Sequence, residues 1–277
     1  MDSNNRIKLA ISPCPNDTYI FGAWINNLLG NPKELEISCD YMDIQELNEQ
    51  ALTGAYDVIK FSAAILPKII DRYWISETGA AAGFDTGPIL VATRDFDLKE
   101  LTNKRIVLPG KDTTAALLFR NLFPEVNKLS FKVFSEIEQS VLLGTHDAGV
   151  IIHESRFNYK EKGLIELADL GKLWVEKTGY PIPLGLIGIR KSLGMEKASD
   201  LQQTIRKSLD YAHLNEQLLM PYIQQHASEM SPDVIQKHIR LYVNQFTLEL
   251  GKLGRSALSS LFEALNPPFN TRNNIFI

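Results

Sequence analysis

Along the first two thirds of the chain, short apolar strands alternate with helical segments of about ten residues, an order that builds βαβ units and largely parallel sheets. Arg6–Ser12 alternates polar and apolar residues, as a half-buried strand does. Pro13-Cys14-Pro15 breaks it, and Asn16-Asp17 offers helix-capping side chains ahead of a helix expected over Thr18–Leu29. Leu35–Tyr41 reads as a strand, Ile44–Leu52 as a helix closed by Gly54, Asp57–Ser62 as a buried strand and Ala63–Tyr73 as a further helix.

The pattern then restarts. A strand at Gly87–Ala92 precedes a second set: strands at Arg105–Leu108, Leu129–Phe134 and Gly149–His153, with helices at Thr113–Leu122 and Ile137–Leu143. Asn158–Tyr180 reads as irregular, Leu184–Ile189 as one more strand, and Asp200–His226, Pro232–Phe246 and Ser256–Leu265 as amphipathic helices. Two short strands, Ile89–Ala92 and Leu186–Ile189, bracket the middle set. If both cross over, the chain is an α/β protein of two lobes, each a mainly parallel sheet flanked by helices, with a cleft between: the type II periplasmic-binding-protein-like architecture. Residues 1–91 and 187–277 then form the first lobe and 92–186 the inserted second.

Composition trims the function classes. The chain has 277 residues, a net charge of −4 and 44% hydrophobic residues, which excludes disorder and allows a large core. Residues 1–92 carry six Lys/Arg against twelve Asp/Glu, hence −6, and the remainder 23 against 21, hence +2. No basic stripe suits a phosphate backbone, so no nucleic-acid partner is expected. No apolar stretch approaches the ~20 residues of a membrane helix and no secretory leader precedes Arg6, so no membrane is expected as partner and the expected location is cytoplasmic. Cys14 and Cys39 are too few for a disulfide framework. No metal site is expected from the spacing of His146, His153, His213, His226 and His238. The apolar tail Asn274–Ile277 and the C-terminal helices leave room for a homodimer.

In open α/β sheets, ligands sit beyond the carboxyl ends of strands, where helix N-termini present unpaired N–H groups. Three junctions fit. Ser12–Thr18, with Asn16 and Asp17, serves equally as a capped turn and as a site. Lys60-Phe61-Ser62, ending a buried strand, suits an anion or hydroxyl. Gly110-Lys111-Asp112-Thr113-Thr114-Ala115 has two hydroxyls and the amides of a new helix, enough to hold a carboxylate without a formal positive charge. It is not a phosphate loop, lacking the upstream glycine. His153 ends the apolar run Ala148–Ile152, and an imidazole at a strand's carboxyl end is suited to general-base work, with Glu154 or Ser155 as candidates to orient it. A histidine met alone is more often structural, and the other four are read as structural or solvated on outer helices or in a turn. Trp174 and Tyr180 either lid a cleft or pack.

Ser12-Pro13-Cys14-Pro15-Asn16-Asp17-Thr18-Tyr19-Ile20-Phe21, Lys60-Phe61-Ser62, Gly110–Ala115 and Ile151-Ile152-His153-Glu154-Ser155-Arg156-Phe157 together resemble the 1,4-dihydroxy-6-naphthoate synthase family of the futalosine branch of menaquinone biosynthesis. The likeness continues through Val175–Gly185 and around Tyr242-Val243-Asn244; Tyr19 stands where the family commonly has Phe. The resemblance implies a lyase of periplasmic-binding-protein-like fold, cytoplasmic, with no cofactor, acting on a small-molecule carboxylate, cyclic dehypoxanthinyl futalosine. It implies His153 as the catalytic residue and Lys60, Phe61, Ser62, Thr114 and Ala115 as substrate-binding segments; Asn16, Asp17 and Thr113 complete the expected site. Two other readings stand beside it: the chorismate dehydratase of the same pathway, and a non-catalytic protein binding a small carboxylate or sulfonate.

Overall fold

The computed structural model describes residues 6–30, 36–227, 231–263 and 275–277. Eleven strands are present among them: β1 Arg6–Ile11, β2 Glu36–Tyr41, β3 Val58–Ser62, β4 Tyr73–Ile75, β5 Ala81–Gly83, β6 Ile89–Ala92, β7 Ile106–Pro109, β8 Leu129–Lys132, β9 Ala148–Ile151, β10 Ile165–Asp169 and β11 Ile182–Arg190. They form two sheets, one in the order β2-β1-β3-β11-β4 with β5 also paired to β11, the other in the order β10-β6-β9-β7-β8.

The βαβ units give the parallel pairs β1–β2, β1–β3, β7–β8 and β7–β9. The pairs made by β6 and β11 are antiparallel. The sheets are therefore mixed, because a strand that carries the chain from one sheet to the other enters against the direction of its neighbours. Both bracketing strands lie wholly in one sheet each: β6 pairs only in the second, and β11, longer than expected, pairs with the first from Ile182 onward. The first sheet is thus discontinuous in sequence, and the second runs uninterrupted from Ile89 to Asp169.

Local chemistry sets the element ends. The helix Ile44–Thr53 has a complete capping box, Asp43 with Glu46, and ends on Gly54 at φ +75°. The first helix spans Pro15–Ile25 rather than starting at Thr18, since proline at the first helical position needs no N–H partner. Its cap position is Cys14, which makes no side-chain capping bond, so Asn16 and Asp17 lie inside the first turn and are not caps. Ala63–Tyr73 is not one helix but a 3-10 turn at Ala63–Ile65, a single helical turn at Leu66–Ile69, and then β4. Asn158–Tyr180 is more regular than expected. It contains β10 and the helix Leu170–Thr178, capped by Asp169 onto the Gly171 and Lys172 amides and closed by Gly179 at φ +72°. The C-terminal stretches divide into helices Met195–Leu214, Glu216–His226, Pro232–Tyr242, Gln245–Leu248 and Gly251–Phe262. Leu35, Asn274 and the end of the expected helix at 264–265 lie outside the described residues.

One apolar cluster, including Ile59, Phe61, Leu90, Leu108 and Phe119, runs through both sheets. A second, including Ile7, Leu9, Phe21 and Ile205, joins the first sheet to the helices that cover it. Trp174 packs in the first cluster, its Nε1 donating to the Pro181 carbonyl at 3.3 Å, and is no lid. The chain end is also inside: Ile275 and Phe276 are buried, and Phe276 bridges in parallel to Ile75 beside β4. The apolar tail expected to leave room for a dimer is spent within the chain on its own sheet edge.

Candidate active site

A cleft opens where the strand ends of the two sheets meet. Asn16, Asp17, Lys60, Ser62, Thr113, Thr114, Ala115 and His153, all expected from the sequence, line it. Phe61 does not. Side chains alternate along β3, so Lys60 and Ser62 share the cleft face while Phe61, fully buried, belongs to the apolar cluster behind it.

On the first-sheet side the polar groups are locked together. Lys60 Nζ pairs with Asp17 Oδ1 at 3.0 Å, both side chains almost without exposure. Asp17 Oδ2 accepts from the Ser12 hydroxyl at 2.7 Å and from the Ser12 amide at 3.2 Å, and its Oδ1 also accepts from Asn16 Nδ2 at 2.8 Å. Buried charges persist only when paired and hydrogen-bonded in this way. Gly185 makes room for the pair: a Cβ there would stand 2.8 Å from Lys60 Cε.

Asn48 is a buried residue that the sequence reading missed. Its Nδ2 donates to Ser62 Oγ at 3.0 Å and to the Asp112 carbonyl at 3.1 Å, and its Oδ1 accepts from the Ser62 amide at 2.7 Å. It therefore ties β3 to the loop after β7. Thr114 makes a second tie, accepting from the Ala64 amide at 3.2 Å and donating to the Leu184 carbonyl at 2.7 Å. Lys68 makes a third, an ion pair with Asp112 at 2.8 Å. Burial raises the pKa of Asp112, but hydrogen bonds from Lys68 and Gln45 outweigh it and hold the carboxyl below its ordinary value. Thr113 caps its helix, its hydroxyl accepting from the Ala116 amide at 3.2 Å and donating to the Gly110 carbonyl at 3.1 Å. The amides of Thr114 and Ala115, in the first turn of the helix Thr114–Leu122, precede its hydrogen-bond ladder and face the anion-favouring end of the helix dipole.

His153 follows β9 with φ +56°, in the left-handed region where a residue with a Cβ is strained. Neither Glu154 nor Ser155 orients its ring; Nδ1 lies 3.3 Å from Cys14 Sγ on the other side of the cleft, and the Phe134 ring meets it edge-on at 4.9 Å. Burial, and then the charge of Glu154, push the Cys14 thiol up, so it is a neutral partner rather than a thiolate nucleophile. Cys14 and Cys39 are both free.

His238 is the second residue the sequence reading missed. It sits on the helix Pro232–Tyr242, fully buried, and lines the cleft rather than an outer surface. Its Nε2 lies 2.9 Å from Asn16 Oδ1, and its ring lies parallel to that of His153, 6.4 Å between centroids. Burial, and then the neighbouring His153, lower its pKa well below 6.5. Tyr242, one turn on, packs 4.6 Å from the His238 ring and is pushed up to about 12 by burial. The signal was in the spacing: Ile235, His238, Ile239 and Tyr242 fall at i, i+3, i+4 and i+7, all on the apolar face. The other histidines hold structural contacts: His146 with Ser130, His213 against Tyr19, and His226 beside Tyr41 and Tyr222.

Among the described residues, no helix is long and apolar enough to cross a membrane, and no group of three or more His, Cys, Asp or Glu side chains is placed to hold a metal ion.

A family model described as menaquinone biosynthesis matches residues 7–267. The chain is 39% identical to a 1,4-dihydroxy-6-naphthoate synthase of Streptomyces coelicolor, over 94% of this chain and 92% of that protein. It is 38% identical to a 1,4-dihydroxy-6-naphthoate synthase of Thermus thermophilus, over 92% of each. Among solved structures, the periplasmic aliphatic sulphonate binding protein of Escherichia coli superposes with a TM-score of 0.64 at 11% identity, covering 98% of this chain and 90% of that one. At that identity the likeness shows the periplasmic-binding-protein-like fold alone.

Proposed function

The chain belongs to the menaquinone-biosynthesis family, and from that premise we propose that it forms 1,4-dihydroxy-6-naphthoate, as its curated relatives are named for doing. The observation that carries the reading is the likeness to those enzymes over nearly the whole chain. The substrate is cyclic dehypoxanthinyl futalosine and the reaction a carbon–carbon lyase reaction in the cytoplasm, with no resident cofactor invoked.

In this reading His153 is the general base. With the proton on Nδ1 donated toward Cys14 Sγ, Nε2 keeps its lone pair for a sugar hydroxyl of the substrate. Removal of that proton lets the alkoxide collapse to a carbonyl as the adjacent carbon–carbon bond breaks; the pair from that bond passes into the bicycle, which takes up a proton, and its aromatisation draws the reaction forward. The Thr114 and Ala115 amides and the Ser62 hydroxyl are the groups offered to the substrate's carboxylate. Lys60 is held by Asp17 and acts through it, setting the cleft's polar floor rather than meeting the carboxylate directly. The two sheets act as lobes, and their closure keeps water from the reacting atoms.

The test is anaerobic incubation of the purified protein and of His153→Ala with cyclic dehypoxanthinyl futalosine, with mass detection of 1,4-dihydroxy-6-naphthoate. The wild type forms product; His153→Ala loses about 10²–10⁴-fold in kcat and keeps its affinity for the substrate. Wild-type turnover by the variant moves the base elsewhere. No product from the wild type removes the reading and turns attention to chorismate, then to ligand binding without turnover.

A further inference from the structure

His238 is a buried titratable group in the cleft that the proposed chemistry leaves unused, and its protonation can be traced from its neighbours. Asp17 is ion-paired to Lys60 and, as a carboxylate, only accepts hydrogen bonds. The group of Asn16 that meets Asp17 Oδ1 is therefore its NH₂, which turns the amide oxygen toward His238. An amide oxygen only accepts, so the proton of neutral His238 sits on Nε2 and is donated to Asn16. That leaves the lone pair on Nδ1, and Nδ1 is buried without a hydrogen-bond partner among the described residues. An orphaned acceptor is costly to bury, and one on a ring that lines a cleft can be satisfied by a donor from a ligand.

Aromatic groups enclose the same ring. Tyr242 packs at 4.6 Å and Phe157 at 6.3 Å between centroids, so the ring is fixed in place, and the parallel His153 ring stands 6.4 Å away. Two imidazoles thus line one cleft, His153 on the second-sheet side and His238 on the first.

We propose that His238 Nδ1 accepts a hydrogen bond from a second substrate hydroxyl, so that the cleft selects a polyhydroxylated ligand through two imidazoles rather than one. This rests on the reaction assigned above. His153 takes the proton; His238, held neutral, accepts a hydrogen bond and transfers nothing. The chain Lys60–Asp17–Asn16 serves to hold His238 in the accepting tautomer, which explains a buried ion pair that touches no reacting atom.

Two substitutions split the two ends of the ring. Asparagine at 238 places an acceptor near the position of Nδ1 and loses the donor to Asn16; glutamine places a donor near Nε2 and loses the acceptor. With cyclic dehypoxanthinyl futalosine as substrate, His238→Gln loses about 10- to 100-fold in kcat/KM and His238→Asn loses less. If His238 only packs and holds Asn16, the order reverses, and that order, or two variants within twofold of the wild type, overturns the inference while the assigned reaction stands. A wild type that leaves the substrate unchanged overturns the reaction and the inference with it. Nitrogen NMR of the histidine-labelled wild-type protein needs no variant to fold: an unprotonated Nδ1 on His238 supports the inference, and a protonated one overturns it.

Discussion

The two walls of the cleft are built on opposite plans. On the first-sheet side, Ser12, Asn16, Asp17, Lys60 and His238 are buried and bonded to one another, each fixed by the next. On the second-sheet side, His153 rides on a strained backbone after its strand, with one long contact to sulfur and a ring edge to hold it. A fixed wall costs nothing to organise when ligand arrives, which is where recognition is best placed. A side chain that must accept and release a proton is better held by weak partners than by an ion pair. In the proposed reading the contrast places proton transfer on the second-sheet wall, beside the Thr114 and Ala115 amides, and the fixed polar groups on the first.

The harshest way to break the contrast is to unlock the fixed wall. Lys60→Met leaves Asp17 charged and buried without its partner, and a loss of about 3–5 kcal/mol in unfolding free energy is expected by chemical denaturation. A loss below 1 kcal/mol would mean that the pair is not the keystone of that wall. The next is acidification. His238 in the unfolded chain takes a proton near pH 6.5, while in the folded protein burial, then His153, keep it neutral to well below that. Below pH 6.5 the unfolded state binds more protons, so stability falls as pH falls, by at most about 1.4 kcal/mol per pH unit. That slope is expected in the wild type and absent from His238→Gln, so it stands in the difference between the two, measured by denaturation at several pH values. The mildest concerns the other wall. With φ at +56°, His153→Gly is expected to be about 1 kcal/mol more stable than His153→Ala, both inactive, because only glycine relaxes there. Equal stabilities would show that the backbone at 153 carries no strain.

The sequence made the two-sheet α/β plan legible because its βαβ signals are local: alternation in Arg6–Ile11, and a glycine stop at 54 after the helix read over Ile44–Leu52. β4 and β5 escaped because three-residue strands carry too little pattern, and their pairing with β11 is set by tertiary contact. The Asp169 cap and Gly179 stop were in plain sight, yet Asn158–Tyr180 read as irregular because β10 is short and half exposed. The cleft residues on strand ends and helix starts were found by position. Asn48 and His238 were not, since each lies within a helix, and only the packing of that helix brings Asn48 to Ser62 and His238 to the cleft. Phe61 shows the opposite error, a residue counted with its neighbours although strand alternation turns it away.

The interrupted first sheet has a consequence for synthesis on the ribosome. By residue 169 the second sheet has every one of its strands, whereas the first still lacks β11 and the chain end that lies along β4. Domains fold as their sequence emerges. The nascent chain therefore completes the wall that carries His153 while the opposite wall waits, and the cleft gains its last lining residues, His238 and Tyr242, only when the helix Pro232–Tyr242 has left the tunnel.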